Sequence, residues 1–329
     1  MKMLSIGRLV LATLIAASLV AAPEKVQAVE DAGSFPSKPI TIIVIYGAGG
    51  ATDLPARQIA SYLEKKFKQP VVVENRTGGA GVVGLAAVAK AAPDGYTLGT
   101  FSSSPTVIAP HTRSVPFEST KDFSFVAQIA EYTQLLCVLP SQPWTNIKEA
   151  IAFARTHPGE LTYSTVGTGS SQHIFMEGLA RHEKVKFAHV PFVGGAQGIA
   201  ALLGGHVKAS LDASLAKHAK SGECRALAAV GKARHPAMPE VPTFAELGYS
   251  IDAPQWLGLA GPAGIPEPIL TKLSDAVLEA TRDPAYKELL KTLLLGDVTA
   301  DHRAFGALVR DDYTRMGEVI KELGFAKAK

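Results

Sequence analysis

The sequence predicts an α/β protein of two lobes, each built on an open, mostly parallel sheet, with a hinge of two crossings between them. Three features carry that expectation. Residues 40–57 read ITIIVIYGAGGATDLPAR, a β-branched apolar run, a glycine turn and an apolar-periodic segment; such a run suits a strand buried on both faces that feeds a helix. The same grammar recurs at 71–91, 161–182 and 187–203. The chain also reads as passing between lobes twice, near 125–135 and near 250–256, so that 29–130 plus 252–329 form one lobe and 131–251 the other. Two crossings make a hinge with a cleft.

In order, strand 40–45 leads into helix 54–67, where Pro55 suits the first turn because its missing N–H costs nothing there. Strand 71–74, the glycine turn 78–84, helix 82–91 and strand 96–101 complete the first unit. Apolar runs within 124–139 carry the chain across. Thr145 is expected to cap a helix over 146–156, closed by His157-Pro158-Gly159. Strand 161–164, helix 174–182, strand 187–190, a short helix over 199–203 and strands 207–212 and 226–230 follow. The last third has strand 256–260 and helices over 269–281, 284–294 and 302–323, expected to pack back on the first lobe.

The chain has 329 residues, 47% hydrophobic and 19% charged, with a formal net charge of +3, which leaves no footprint for nucleic acid. Lys2 and Arg8 precede an apolar run over 9–22, and Val26-Gln27-Ala28 fits a small-x-small cleavage site. Residues 1–28 therefore read as a signal peptide. Its removal takes Lys2, Arg8 and Lys25 against Glu24, and lowers the charge from +3 to +1. Cys137 and Cys224, 87 positions apart in apolar runs, could pair in an oxidising compartment but read first as two buried thiols.

The glycine turns carry the chemistry. A turn between strand and helix leaves backbone amides unpaired at the positive end of the helix dipole, where an anion is favoured. Four such turns at strand ends, in two lobes, point to one small anionic guest. Thr52, Ser102, Ser103, Thr168, Ser170 and Ser171 add hydroxyls. Asp53 reads first as a partner of Arg57 at i+4. Asp212 could meet a ligand amine or order a turn. Ser170 and Ser171 near His173 suggest a hydrolase, but they precede a helix and suit its cap, and no G-x-S-x-G elbow surrounds them. His173 and His189 lack the spacing of a metal pair. Gly79-Ala80-Gly81-Val82-Val83-Gly84 matches a dinucleotide fingerprint, but Asn75 to Gly78 separate it from the strand and no acid stands about 20 residues on.

Beyond these local readings, the chain resembles the substrate-binding proteins of tripartite tricarboxylate transporters, the Bug family (TctC-like). The resemblance runs from Pro36 to about Gly324. It rests on FPSKPI, the GG-x-x-D turn at Gly49, Gly50 and Asp53, VVVENRTGGAG, PDGYTL, KDF, HPGELTYST with GTGS and a following His, HVPF-x-GG, ALLGGHV, RALAAV-x-x-x-R, PEVPTFAELGY and W-x-GL-x-x-PAG-x-P. No single piece is specific; their order is.

The resemblance implies a two-lobed type II periplasmic-binding-protein fold, no enzymatic activity, no cofactor and no metal. The implied function is capture of a small carboxylate between the lobes and delivery to transporter membrane subunits from the periplasm, by a monomer. The implied ligand-binding residues are Tyr46, Gly49, Gly50, Ala51, Thr52 and Asp53 with Ser102, Ser103 and Ser104 in lobe one. In lobe two they are Thr168, Gly169, Ser170, Ser171, Val193, Gly194, Gly195, Ala196 and Asp212. Presentation of the bound carboxylate to a membrane signalling kinase is the alternative role. The sequence departs from the family pattern at Ala48, Thr106, Phe192 and Gln197, all in or near these turns.

Overall fold

The computed structural model describes residues 31–231, 234–235, 237–249, 255–322 and 324–327. The expected signal peptide and most of the second crossing, 250–254, lie outside the described residues. Ten strands are described: β1 (Ile40–Val44), β2 (Val71–Asn75), β3 (Thr97–Ser102), β4 (Phe123–Glu131), β5 (Gln134–Val138), β6 (Thr162–Thr165), β7 (Ala188–Pro191), β8 (Ala209–Asp212), β9 (Arg225–Val230) and β10 (Trp256–Pro262). The helices are α1 (Asp53–Phe67), α2 (Val82–Ala89), α3 (Ala109–Thr112), α4 (Ile147–Thr156), α5 (Ser171–Glu183), α6 (Gly195–Leu203), α7 (Leu215–Lys220), α8 (Glu267–Arg282), α9 (Pro284–Leu293) and α10 (His302–Glu322).

Two five-stranded sheets organise the chain, in the orders β2-β1-β3-β10-β4 and β7-β6-β8-β5-β9. In each, one strand runs against both its neighbours: β10 between β3 and β4, and β5 between β8 and β9. Each reversed strand is the first one laid down after the chain passes from one sheet to the other. The other strands of each sheet share one direction, so "mostly parallel" describes the strands, while the ladders beside β5 and β10 are antiparallel. Only Tyr132 and Thr133 separate β4 from β5, which makes the first crossing very short.

Strand alternation divides the core. Ile40, Ile42 and Val44 pack with α1 and α8 through Ile59, Leu63, Leu273 and Val277. Ile43 and Ile45 face the other way, onto Leu85, Val88 and Phe305 of α2 and α10. Apart from Thr41 the run is apolar, which is what two covered faces require, and each such side chain contributes about 1.5–3 kcal/mol on full burial. In the second sheet Leu136 and Val138 pack with α4 and α5, while Leu135 and Cys137 face α6 and α7. Cys137 and Cys224 are both buried free thiols. Burial, then the nearby Cys224, pushes the Cys137 thiol well up.

Helices α8 to α10 pack mainly on the first sheet, and α9 also touches the second half of the chain, where Leu294 carbonyl bonds the His235 ring at 2.8 Å. The cap of α4 differs from expectation by one residue. Asn146 accepts the Glu149 amide at 3.1 Å, while the Thr145 amide and hydroxyl donate to Glu149 Oε2 at 2.6 and 3.0 Å. This reciprocal pairing uses Thr145 from outside the helix. Helix α7 and the wide turn Ser104–Ile108 before α3 were not legible in the sequence; α7 has six residues, too few to set up a periodic pattern. Among the described residues no helix is long and apolar enough to cross a membrane.

Candidate functional site

The carboxyl ends of β1, β3, β4, β6 and β8 and the start of the reversed β5 converge on one cavity. Its wall comprises Tyr46, Gly47, Gly50, Ala51 and Thr52 after β1; Ser102, Ser103 and Ser104 at the end of β3; Tyr132 and Gln134 at the crossing; and Val166, Ser171, Gln172, Gly195, Asp212 and Ala213 from the second sheet. This is where open α/β sheets place ligands. The space open to water-sized guests is about 50 Å³, and one water needs roughly 10–15 Å³ on that measure, so the lobes stand nearly shut.

Specific contacts hold them together. The Ser171 amide donates to Ser104 Oγ at 3.0 Å, and that hydroxyl donates to Ser171 Oγ at 3.2 Å. Arg113 spans the gap with one nitrogen on the Thr168 carbonyl at 2.8 Å and another on the Gly79 carbonyl at 2.6 Å. Gly47 and Gly194 meet backbone to backbone: a Cβ on Gly194 would stand 3.0 Å from the Gly47 nitrogen. Thr52 and Tyr132 share a hydroxyl hydrogen bond of 2.8 Å, tying α1 to the crossing.

Ten of the expected residues therefore line the cavity: Tyr46, Gly50, Ala51, Thr52, Ser102, Ser103, Ser104, Ser171, Gly195 and Asp212. The other eight do not, for reasons the geometry gives. Asp53 is buried under α1, accepting from the Gly49 amide and Arg57 Nε at 2.9 Å each and from Asn75 at 2.8 Å; burial would raise its pKa, but these donors outweigh it and hold it below the usual carboxylate range. The same bond occupies the Gly49 amide. Thr168 offers its carbonyl to Arg113, and the Gly169 amide is taken by His173 Nδ1 at 3.2 Å. Ser170 is the cap of α5, its hydroxyl accepting the His173 amide at 3.2 Å. Val193 and Ala196 are exposed, and Gly194 packs on Gly47.

Gly47, Tyr132, Gln134, Val166, Gln172 and Ala213 line the cavity without having been expected to. Gly47 and Val166 lie within turns already singled out, and Ala213 follows Asp212. Tyr132 and Gln134 arrive through the crossing, whose sequence carries no turn signal. His173 and His189 stack with ring centroids 4.2 Å apart, and Thr165 Oγ1 holds His189 Nε2 at 2.7 Å. Burial, then His173, pushes the His189 pKa down to about 4, and burial lowers that of His173 as well. Gly79 and Gly81 take left-handed backbone angles of +55° and +96°, and a Cβ on Gly84 would stand 2.7 Å from the Arg76 carbonyl. The G-x-G-x-x-G segment thus serves close packing of α2 and the contact with Arg113.

Two electrostatic features distinguish the cavity. Helix α6 begins at Gly194 with no capping side chain, so its first amides are open to a guest or to solvent. Among the described residues, Asp212 is the one charged side chain in the wall. It is 8% exposed, its Oδ1 accepts the Ser214 amide at 2.8 Å, and burial pushes its pKa up. Tyr46 is raised as well, chiefly by burial, and its hydroxyl shares a 3.3 Å bond with Ser102.

The arrangement matches known proteins along nearly its full length. Residues 55–325 match the model described as "Tripartite tricarboxylate transporter family receptor". BugT of Bordetella pertussis is 32% identical over 325 residues, covering 97% of this chain and 98% of that protein. The solved structure of Rhodopseudomonas palustris Rpa4515 with adipate superposes with a TM-score of 0.82 at 28% identity, covering 89% of this chain and 99% of that one. MatC from the same organism, with bound malate, gives 0.80 at 29% identity and covers 87% and 100%. With two sheets of type II order, a cavity at their strand ends and this breadth of similarity, the chain belongs to the tripartite tricarboxylate transporter receptor family, the Bug family of solute-binding proteins rather than enzymes.

Proposed function

We propose that this protein is a periplasmic receptor, exported by the segment 1–28, that closes two lobes (29–130 plus 252–329, and 131–251) on a small carboxylate and delivers it to the membrane subunits of a tripartite tricarboxylate-type transporter. The observation that carries this reading is the wall itself: glycine backbone at Gly47, Gly50 and Gly195 and hydroxyls at Thr52, Ser102, Ser103, Ser104 and Ser171, gathered at strand ends from both sheets. Hydrogen bonds to a charged acceptor contribute roughly 1.5–3 kcal/mol each, and micromolar affinity needs about 8 kcal/mol, so four to six donors suffice without an arginine. The adipate and malate held by two relatives support a carboxylate as the class of guest.

Thermal unfolding in the presence of a broad panel of organic and amino acids tests this reading. A true ligand at about 100 times its Kd adds roughly 2.7 kcal/mol of stability. A panel in which no carboxylate shifts the transition rejects it. Co-purification with transporter membrane subunits tests delivery.

A further inference from the structure

Within the carboxylate-receptor reading, on which this step rests, we infer that the guest is an amino acid, its carboxylate held by the first lobe and its ammonium group by Asp212. Three observations converge. Asp212 lines the cavity as its one charged side chain among the described residues, and no lysine, arginine or histidine shares that wall. Arg113, which bridges the two halves, is committed to the Thr168 and Gly79 carbonyls. Among the described residues Asp212 has no ion-pair partner, and its hydrogen bonds come from Ser214, whose amide donates to Oδ1.

The direction of the second oxygen completes the argument. A Cβ on Gly195 would stand 2.5 Å from Asp212 Oδ2, so the carboxylate lies against the first residue of uncapped α6. The helix start that could have taken a ligand anion in the second lobe is already faced by an acid. A second carboxylate brought there would meet a like charge in a site shielded from water. An ammonium group would find a carboxylate that has no ion-pair partner among the described residues, and would complement its charge. The first lobe keeps the opposite polarity: Gly50, Ala51, Thr52 and the serines after β3 line their side of the cavity without an acid, because Asp53 is turned away under α1.

Matched ligand pairs that exchange ammonium for carboxylate on one skeleton test this: β-alanine against succinate, 4-aminobutyrate against glutarate, L-alanine against methylmalonate and L-leucine against isobutylmalonate, by calorimetry on the full mature protein. The expected result is at least tenfold tighter binding of the amino acid in the best pair, and loss of that preference in Asp212→Asn, which keeps an oxygen for the Ser214 amide. Equal or tighter binding of the diacid in the best pair overturns the inference and leaves the carboxylate reading standing, as does an unchanged preference in Asp212→Asn. If no member of any pair binds, nor any other carboxylate, the carboxylate reading fails and this inference with it. Should Asp212→Asn not fold, the wild-type preference alone decides.

Discussion

The hydroxyl of Ser104 accepts the amide of Ser171 at 3.0 Å and donates to its hydroxyl at 3.2 Å, joining the end of β3 to the start of α5 across the cavity. Both side chains are buried, and both belong to the wall a ligand would touch. One contact thus serves closure and the shape of the site together.

Ser104→Ala removes that bond and leaves the Ser171 amide without its acceptor. Loss of a buried hydrogen bond costs about 1 kcal/mol. The expected outcome is a fivefold or greater loss of ligand affinity with unchanged circular dichroism, and a larger radius of gyration without ligand by X-ray scattering. Unaltered affinity and radius would show that the serine pair does not stabilise the closed form.

Two glycine substitutions separate backbone clash from cavity filling. At Gly195 a methyl would stand 2.5 Å from Asp212 Oδ2, so Gly195→Ala is expected to weaken ligand binding at least tenfold by displacing that carboxylate. At Gly50 an added Cβ comes no nearer than 3.8 Å to the Gly47 carbonyl, so Gly50→Val keeps the fold and sends its methyls into the cavity. Binding should vanish while the melting temperature stays within a few degrees. Calorimetry and thermal unfolding of both variants check this.

Gly258 in β10 lies under the Phe305 ring of α10. A Cβ there would stand 2.3 Å from the ring and 2.7 Å from the Ala127 carbonyl. Gly258→Ala is therefore expected to destabilise the protein by about 1–3 kcal/mol through overpacking, read as a lower urea midpoint. A stability equal to wild type would mean that α10 can move freely on the sheet.

Stability should fall in acid in two stages. His189 has a folded pKa of about 4 against an ordinary 6.5, so the unfolded chain takes up a proton that the native one refuses. Its contribution is full above pH 6.5 and is lost as pH falls from there to about 4. Asp53, held below its ordinary 3.8 by Arg57, Gly49 and Asn75 despite burial, contributes above that value and is lost below it. Urea midpoints across pH 3–7 should show both slopes. His189→Gln should flatten the upper one and Asp53→Asn the lower.

The sequence by itself determined the elements and much of the wall. The β-branched run of β1, the glycine turn behind it and the serines ending β3 specify strand, turn and strand end through local backbone preference and apolar patterning, and these are properties of neighbouring residues. It also carried the family, because motif order survives where no single motif is specific. Tertiary structure alone decided which polar groups remain free. Gly49, Gly169 and Ser170 look like donors in sequence, yet their hydrogen-bonding capacity is spent on Asp53, on the ring of His173 and on its amide. Tyr132 and Gln134 look like linker, yet the short crossing brings them into the wall. A buried group has few hydrogen bonds to give, a backbone N–H only one, and the partners that win are set by which segments meet in space. That same choice left Asp212, among the described residues, without a counter-ion at the mouth of an uncapped helix.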